Sequence, residues 1–62
     1  MNSKELEKRV IAIDWFFDRQ KGSHKIFKHP TIEGFLVIPF HGSKDIPIGT
    51  LNSILKKAGL KK

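Results

Sequence analysis

The chain has 62 residues, which is enough for one small domain and too few for separate cofactor-binding and substrate-binding domains. It contains no cysteine, so disulfide bonds and thiolate zinc sites are excluded, and its longest apolar stretches, such as residues 35–40, are too short to span a membrane. Twelve Lys and Arg against six Asp and Glu give a net charge of +6, which favours a polyanionic partner, either a nucleic acid or an acidic protein.

The first predicted element is a helix over residues 3–13. Asn2, followed three residues later by Glu5, fits a capping box at its start. The apolar residues of this segment recur at positions i, i+4 and i+7 and therefore share one face: Leu6, Val10 and Ile13.

Three short strands are predicted next, over residues 15–20, 24–29 and 35–38. The first connection is a turn at residues 21–23, where Gly22 can take the positive φ that a tight turn needs. A second short turn precedes the third strand. Because both connections are short, the strands are expected to form an antiparallel meander.

A polar loop over residues 41–45 leads to a last helix that is predicted to begin near Ile48. Gly59 and Leu60 fit a Schellman motif at its end. Its buried face is expected to consist of apolar residues at helical spacing: Ile48, Leu51, Leu55 and Ala58, with Ile54 at the edge. Three aromatic residues are assigned to the core rather than to platforms for stacking bases, since so short a domain has little other apolar area: Trp15, Phe17 and Phe35.

The order helix, strand, strand, strand, helix predicts a single α+β domain over residues 1–62. It would have two layers, with a three-stranded antiparallel sheet and both helices on one face. The N-terminal residues lack the apolar core of a signal peptide, so we expect a cytoplasmic protein without membrane association.

Three histidines are candidates for chemistry, because histidine is the side chain that ordinarily changes charge near neutral pH. His24 and His29 are five positions apart on one predicted strand and would point to opposite faces, while His41 lies on another element. This arrangement does not favour a metal site, so we expect no metal and no cofactor. We interpret His29 and His41 as structural.

His24 directly follows the predicted turn. If Phe27 faces the core with Lys25 on its side, then His24, Ile26 and Lys28 share the open side of the sheet, although Ile26 is equally apolar and the sequence leaves this choice open. On the open side, His24 would lie among cations able to hold phosphates: Lys21, Lys28 and Arg19.

Such a group would suffice to cleave RNA without a metal. The ribose 2′-hydroxyl can attack its own phosphate when a base removes its proton, and a positioned imidazole contributes roughly 10²–10⁴-fold to such a step. Nearby lysines stabilise the charge that develops. A histidine at a strand end with no chemical role would fit the same pattern, so the chemistry alone does not decide between them.

Three blocks of this sequence resemble the HicA toxin family. Residues 22–30 are similar to its GSHxxF(K/R)HP segment, and residues 39–41 resemble its P-x-H step after the third strand. Residues 46–60 resemble its closing helix, with the pattern G-T-L…I-L-K-x-A-G-(L/I). One position departs: the family often has a glycine before the aromatic first strand, where this chain has Asp14, which would lengthen the first helix or alter its exit.

The resemblance implies a fold like a double-stranded-RNA-binding domain and an mRNA interferase that cleaves mRNA and blocks translation. It implies that His24 is the catalytic residue and that a HicB-type antitoxin binds the toxin and covers the site. Ser23 and the Gly22 backbone would shape the turn, and three lysines are candidate phosphate contacts: Lys21, Lys25 and Lys28. We expect a monomer when the toxin is free, or a low-order oligomer with the antitoxin.

Two other functions fit the same residues. One is a non-catalytic RNA-binding module of the same fold, whose affinity would fall with salt and survive His24→Ala. The other is a protein-interaction domain whose basic face meets an acidic partner, which would show no affinity for RNA at modest salt.

Overall fold

A computed structural model describes residues 1–40 and 44–60 and contains two helices and one sheet. In chain order the elements are α1 (Ser3–Ile11), β1 (Phe16–Lys21), β2 (His24–Lys28), β3 (Phe35–Pro39) and α2 (Ile48–Ala58). The strands form one antiparallel sheet in the order β1-β2-β3. The predicted α-β-β-β-α order and two-layer α+β architecture are confirmed.

The core lies between the two helices and the strands β2 and β3. The cluster of buried side chains comprises Leu6, Val10, Trp15, Phe27, Leu36, Ile38, Ile46, Ile54 and Ala58. By contrast, every residue of β1 is exposed, because the helices pack mainly against β3, at the other side of the sheet. The side chains of the edge strand β1 therefore form part of the domain surface and contribute little to its core.

The strand register decides which side of β2 faces the helices. Phe27 is buried beside Leu36, its partner on β3, and Lys25 reaches Glu7 on α1. Since side chains alternate along a strand, His24, Ile26 and Lys28 lie on the opposite side of the sheet. The orientation with Phe27 in the core, one of two that the sequence left open, is the one observed.

Some predicted core residues are exposed. Trp15 is buried as expected, but Phe17 is 51% exposed because the helices leave β1 uncovered, and Phe35 is 47% exposed because it points away from the helices. Ile48 is 76% exposed, since a side chain at the first residue of a helix leans back past the helix start. The core prediction for Phe17, Phe35 and Ile48 was wrong.

Ile46 takes the place in the core that Ile48 was expected to fill. Its backbone N–H donates to Met1 O at 2.9 Å, and Asn2 forms an isolated antiparallel bridge with Asp45. The segment before α2 is therefore held against the beginning of the chain. At the same end, Asn2 Oδ1 accepts a hydrogen bond from the Glu5 N–H at 2.9 Å, which confirms Asn2 as the N-cap of α1.

Helix α2 ends in the Schellman motif that the sequence predicted. The Gly59 N–H donates to Lys56 O at 3.2 Å and the Leu60 N–H donates to Leu55 O at 2.9 Å. Gly59 has a φ of 89°, in the left-handed region where glycine carries no steric penalty.

Helix α1 ends in the same motif, but with an aspartate at the left-handed position. The Asp14 N–H donates to Ile11 O and the Trp15 N–H donates to Val10 O, both at 3.1 Å, and Asp14 has a φ of 77°. The helix is therefore not lengthened by the aspartate. It ends at Ile11, two residues before the predicted end. The hydrogen bonds of the Schellman motif form here even though the left-handed residue is an aspartate and not a glycine.

Asp14→Gly is expected to raise the free energy of unfolding by about 0.5–1 kcal/mol, because an L side chain at positive φ is strained. For a domain of this size the melting temperature should rise by a few degrees, at about 4–8 °C per kcal/mol. Thermal unfolding followed by circular dichroism measures this. Gly59→Asp is the matched reverse change at the end of α2 and should lower the melting temperature; an unchanged or lower value for Asp14→Gly would contradict the argument.

Candidate functional site

The turn between β1 and β2 presents His24. Its two loop residues are Gly22, with a φ of 60°, and Ser23, and a positive φ at the first residue only is the pattern of a type II′ hairpin turn. Gln20 Nε2 donates to Gly22 O at 2.9 Å, and the Phe40 N–H donates to Ser23 O at 2.7 Å. Contacts from both neighbouring strands thus hold the turn in place.

His24 is the first residue of β2 and is exposed. In the sheet register it lies directly between Lys21 on β1 and Pro39 at the end of β3. Directly opposite residues in antiparallel strands have Cβ atoms about 4.5–5.5 Å apart and point to the same side. The imidazole and the Lys21 ammonium can therefore reach the same phosphate.

The side of the sheet that carries His24 is called the open face here. The register places two further rows beside the row of His24: Arg19, Ile26 and Val37, then Phe16, Lys28 and Phe35. Lys28 lies four residues along β2 from His24, about 13 Å away at the usual strand rise. Besides His24, the residues in these three rows include three Lys or Arg side chains and no carboxylate.

A β-bulge at Asp18 brings Arg19 to the open face. Phe17 pairs with Phe27 and Arg19 with Ile26, so Asp18 is an extra residue in β1. Its carboxylate lies 3.6 Å from Arg19 Nη1, and the Arg19 side chain remains two-thirds exposed. The guanidinium is therefore only loosely paired.

Lys25 is not brought together with His24. It points to the helix side, where Lys25 Nζ lies 2.9 Å from Glu7 Oε1 on α1 and 5.0 Å from the centroid of the Phe40 ring. Both members of the ion pair are mostly buried. Lys25 thus connects α1 to Phe40, the residue whose N–H holds the turn, and it is not placed to contact RNA bound beside His24.

His29 has structural partners at the far end of β2. Its Nδ1 accepts hydrogen bonds from the Thr31 N–H at 3.1 Å and the Ile32 N–H at 3.3 Å, so the proton of the neutral ring is on Nε2, which donates to Ile13 O at 2.8 Å. The ring also makes an edge contact with Trp15, with centroids 5.1 Å apart. These contacts support the structural interpretation of His29, while His41 lies outside the described residues.

Among the described residues, the depression in the surface lies away from His24. An open depression of about 450 Å³ is lined by residues 28–35, at the opposite end of β2 from His24. Within residues 1–40 and 44–60, no group of three His, Cys, Asp or Glu side chains is placed to hold a metal ion. Neither helix in this part of the chain is long and apolar enough to cross a membrane.

The sequence predicted the turn and proposed His24 as its functional residue, but it did not indicate the groups that hold the turn in place. Gln20 bonds the turn through its side chain, and Phe40 does so through its backbone. The role of Gln20 could have been inferred from one signal in the sequence. If Lys21 pairs with His24, Gln20 lies next to the two-residue loop and its side chain can reach the loop backbone. The hydrogen bond from the Phe40 N–H could not have been inferred, because any residue other than proline has the same backbone donor.

Comparison with known proteins assigns the family. No curated protein sequence matches the chain. The sequence model described as the HicA toxin of bacterial toxin–antitoxin systems matches residues 3–60. Because this match covers nearly the whole chain, the protein belongs to the HicA toxin family.

Proposed function

We propose that this toxin is an endoribonuclease that cleaves mRNA and thereby blocks translation, with His24 as its catalytic residue. The observation that carries the proposal is the position of His24: an exposed imidazole directly opposite Lys21, on a sheet face whose three rows of side chains include Lys and Arg and no carboxylate. A phosphodiester is a substrate that such a surface attracts, since its positive charge is only partly offset by Asp18, which pairs loosely with Arg19.

The chemistry requires one proton to leave the ribose and another to reach the leaving group. The 2′-oxygen attacks the adjacent phosphorus as its proton passes to a base, and the bond from phosphorus to the 5′-oxygen breaks as that oxygen takes up a proton. An imidazole can accept the first proton or donate the second. Lys21 can stabilise the additional negative charge on the phosphate oxygens as the new bond forms.

The turn contributes by fixing where the imidazole stands. Gly22 takes the positive φ of the II′ turn, and the Gln20 and Phe40 hydrogen bonds hold both loop carbonyls. A catalytic group must be positioned accurately to be efficient, and a short, hydrogen-bonded hairpin turn restricts the backbone on which His24 is carried. The Ser23 backbone serves the same purpose through its carbonyl.

The partner follows from the family. A toxin of a toxin–antitoxin system has a cognate antitoxin. By the resemblance of residues 22–30, we infer an antitoxin of the HicB type that covers His24 when bound. The alternative function is a non-catalytic RNA-binding module, which would use the same cations and leave His24 without a role.

The proposal is tested by induced expression of the wild type and of His24→Ala in a bacterial host, with growth and the integrity of total mRNA followed over time. We expect the wild type to arrest growth with loss of mRNA and the folded His24→Ala variant to do neither. If both are equally toxic or both are harmless, His24 is not catalytic, and the RNA-binding module becomes the better explanation.

Cleavage by the purified wild type is expected to persist in excess chelator, because the 2′-hydroxyl route uses only protein groups and the substrate. A matched RNA with a 2′-deoxyribose at the cleaved position should resist, since its nucleophile is missing. Gel analysis of a labelled RNA measures both. Complete loss of activity with chelator, or cutting at the deoxy position, would contradict the proposed route.

A further inference from the structure

We propose that the open face binds single-stranded RNA by stacking bases on Phe16 and Phe35, and that it leads this strand to His24. This inference rests on the proposed function in one respect, namely that RNA is the ligand. The first observation is exposure: Phe16 is 49% and Phe35 47% exposed. Exposed aromatic rings on a sheet are suitable platforms for bases.

The second observation is the order of the side chains across the sheet. Phe16 and Phe35 are both direct register partners of Lys28, so the row reads ring, ammonium, ring. Since neighbouring strands are about 4.8 Å apart, the two aromatic residues are about 10 Å apart with the cation between them. A single strand of RNA, which alternates bases with phosphates, matches this alternation.

The charges around the row also favour RNA. Lys57 Nζ, from α2, lies over the Phe35 ring at 5.2 Å from its centroid, so a second cation covers one face of this ring and a base would stack on the other face. Arg19 and Lys21 line the way from Phe16 toward His24. An acidic protein could also bind these cations. RNA is favoured because the aromatic row and His24 lie on the same face, and RNA is the proposed substrate of His24.

The platform also distinguishes single strands from duplexes. Within an RNA duplex the bases are stacked on each other and offer no free face to a phenylalanine, whereas the phosphates remain accessible. Contacts from Lys28 and Arg19 would serve both forms of RNA, and stacking on Phe16 and Phe35 would serve only the unpaired one. We therefore expect this toxin to prefer single-stranded RNA to a duplex of the same sequence.

The test measures binding in the His24→Ala background, so that the RNA remains intact. A labelled, unstructured RNA oligonucleotide is titrated at fixed salt and followed by fluorescence anisotropy. Phe16→Leu and Phe35→Leu should each weaken binding by about 5- to 100-fold, the loss expected for one base stack. The matched control is Phe17→Leu, because Phe17 follows Phe16 in the same strand, is 51% exposed and lies in register with Phe27, whose side faces the helices.

Two further probes separate stacking from charge. An oligonucleotide of the same length without bases should bind weakly, and Phe16→Leu should weaken it no further. A blunt RNA duplex should also be insensitive to Phe16→Leu and Phe35→Leu. If both variants bind the single strand as tightly as Phe17→Leu does, the stacking proposal is overturned and the face is better explained as a protein-docking surface.

The outcome is independent of whether RNA is cut. If the wild type fails to cleave RNA but Phe16→Leu and Phe35→Leu lose affinity, the stacking proposal stands and the ribonuclease proposal fails. If the wild type cleaves RNA and both variants bind like the control, the reverse holds.

Discussion

Replacing His24 by alanine should lower the rate constant of RNA cleavage by about 10²–10⁴-fold, the usual contribution of a positioned general acid or base. The free energy of unfolding should change by about 0.5 kcal/mol or less, because the side chain is exposed at the start of β2. Single-turnover cleavage of a labelled RNA gives the first quantity, and urea unfolding gives the second. Together they separate a catalytic loss from a folding defect.

His29→Ala provides the contrasting control, since it removes the same side chain five residues further on. Its imidazole bonds Ile13 O and two backbone N–H groups, so its loss should lower the free energy of unfolding by about 2–3 kcal/mol. The fraction that remains folded should keep its cleavage rate. A His24→Ala protein that cleaves RNA at the wild-type rate would remove His24 from the mechanism.

Trp15→Ala should lower the free energy of unfolding by about 3–5 kcal/mol and leave the domain marginally stable at 25 °C. Trp15 is almost fully buried, its Nε1 donates to Ala58 O at 3.2 Å at the end of α2, and its ring meets His29 at the end of β2. Removing a buried tryptophan costs about 3–5 kcal/mol. The free energy of unfolding of a domain of this length is only about 3–9 kcal/mol, so the substitution removes a large fraction of it.

The control for Trp15→Ala is Phe17→Ala, two residues along and half exposed. Phe17 makes an edge contact with Phe27, with ring centroids 5.9 Å apart, so its loss should cost only about 0.5–1.5 kcal/mol. Far-UV circular dichroism with urea unfolding distinguishes the two variants. A Trp15→Ala protein that unfolds cooperatively near the wild-type midpoint would show that the core does not depend on this residue.

The parts of the fold that the sequence predicted correctly depend on local signals. The tight turn after β1 follows from Gly22, and the end of α2 follows from Gly59, because each position needs a backbone conformation that glycine adopts easily. The end of α1 uses the same motif with Asp14, a residue type that gives a much weaker signal, and its position was predicted two residues too late.

The features that could not be predicted depend on contacts between distant segments. The burial of Ile46 arises from pairing with Met1 at the beginning of the chain, and no periodic pattern near residue 46 indicates it. The exposure of Phe17 depends on where the helices lie across the sheet. An aromatic residue in a strand has the same sequence signal whether a helix covers it or not.

The candidate site shows the same division. His24 and Lys21 flank a short turn, so their proximity follows from the hairpin alone. The position of Lys25 depends on which side of β2 faces α1, and Ile26 and Phe27 are too similar in hydrophobicity for the sequence to settle this. Its ion pair with Glu7 required the tertiary structure.

The bulge at Asp18 has a consequence for the behaviour of the protein at high concentration. β1 is an edge strand with exposed phenylalanines on both sides, a combination that invites pairing with the same strand of another molecule. An extra residue in the middle of β1 interrupts its regular hydrogen-bonding edge, and the charges of Asp18 and Arg19 lie at that interruption. The β1 strand of a second molecule therefore cannot pair with this edge along its whole length. The bulge in this way opposes aggregation of the protein into extended sheets.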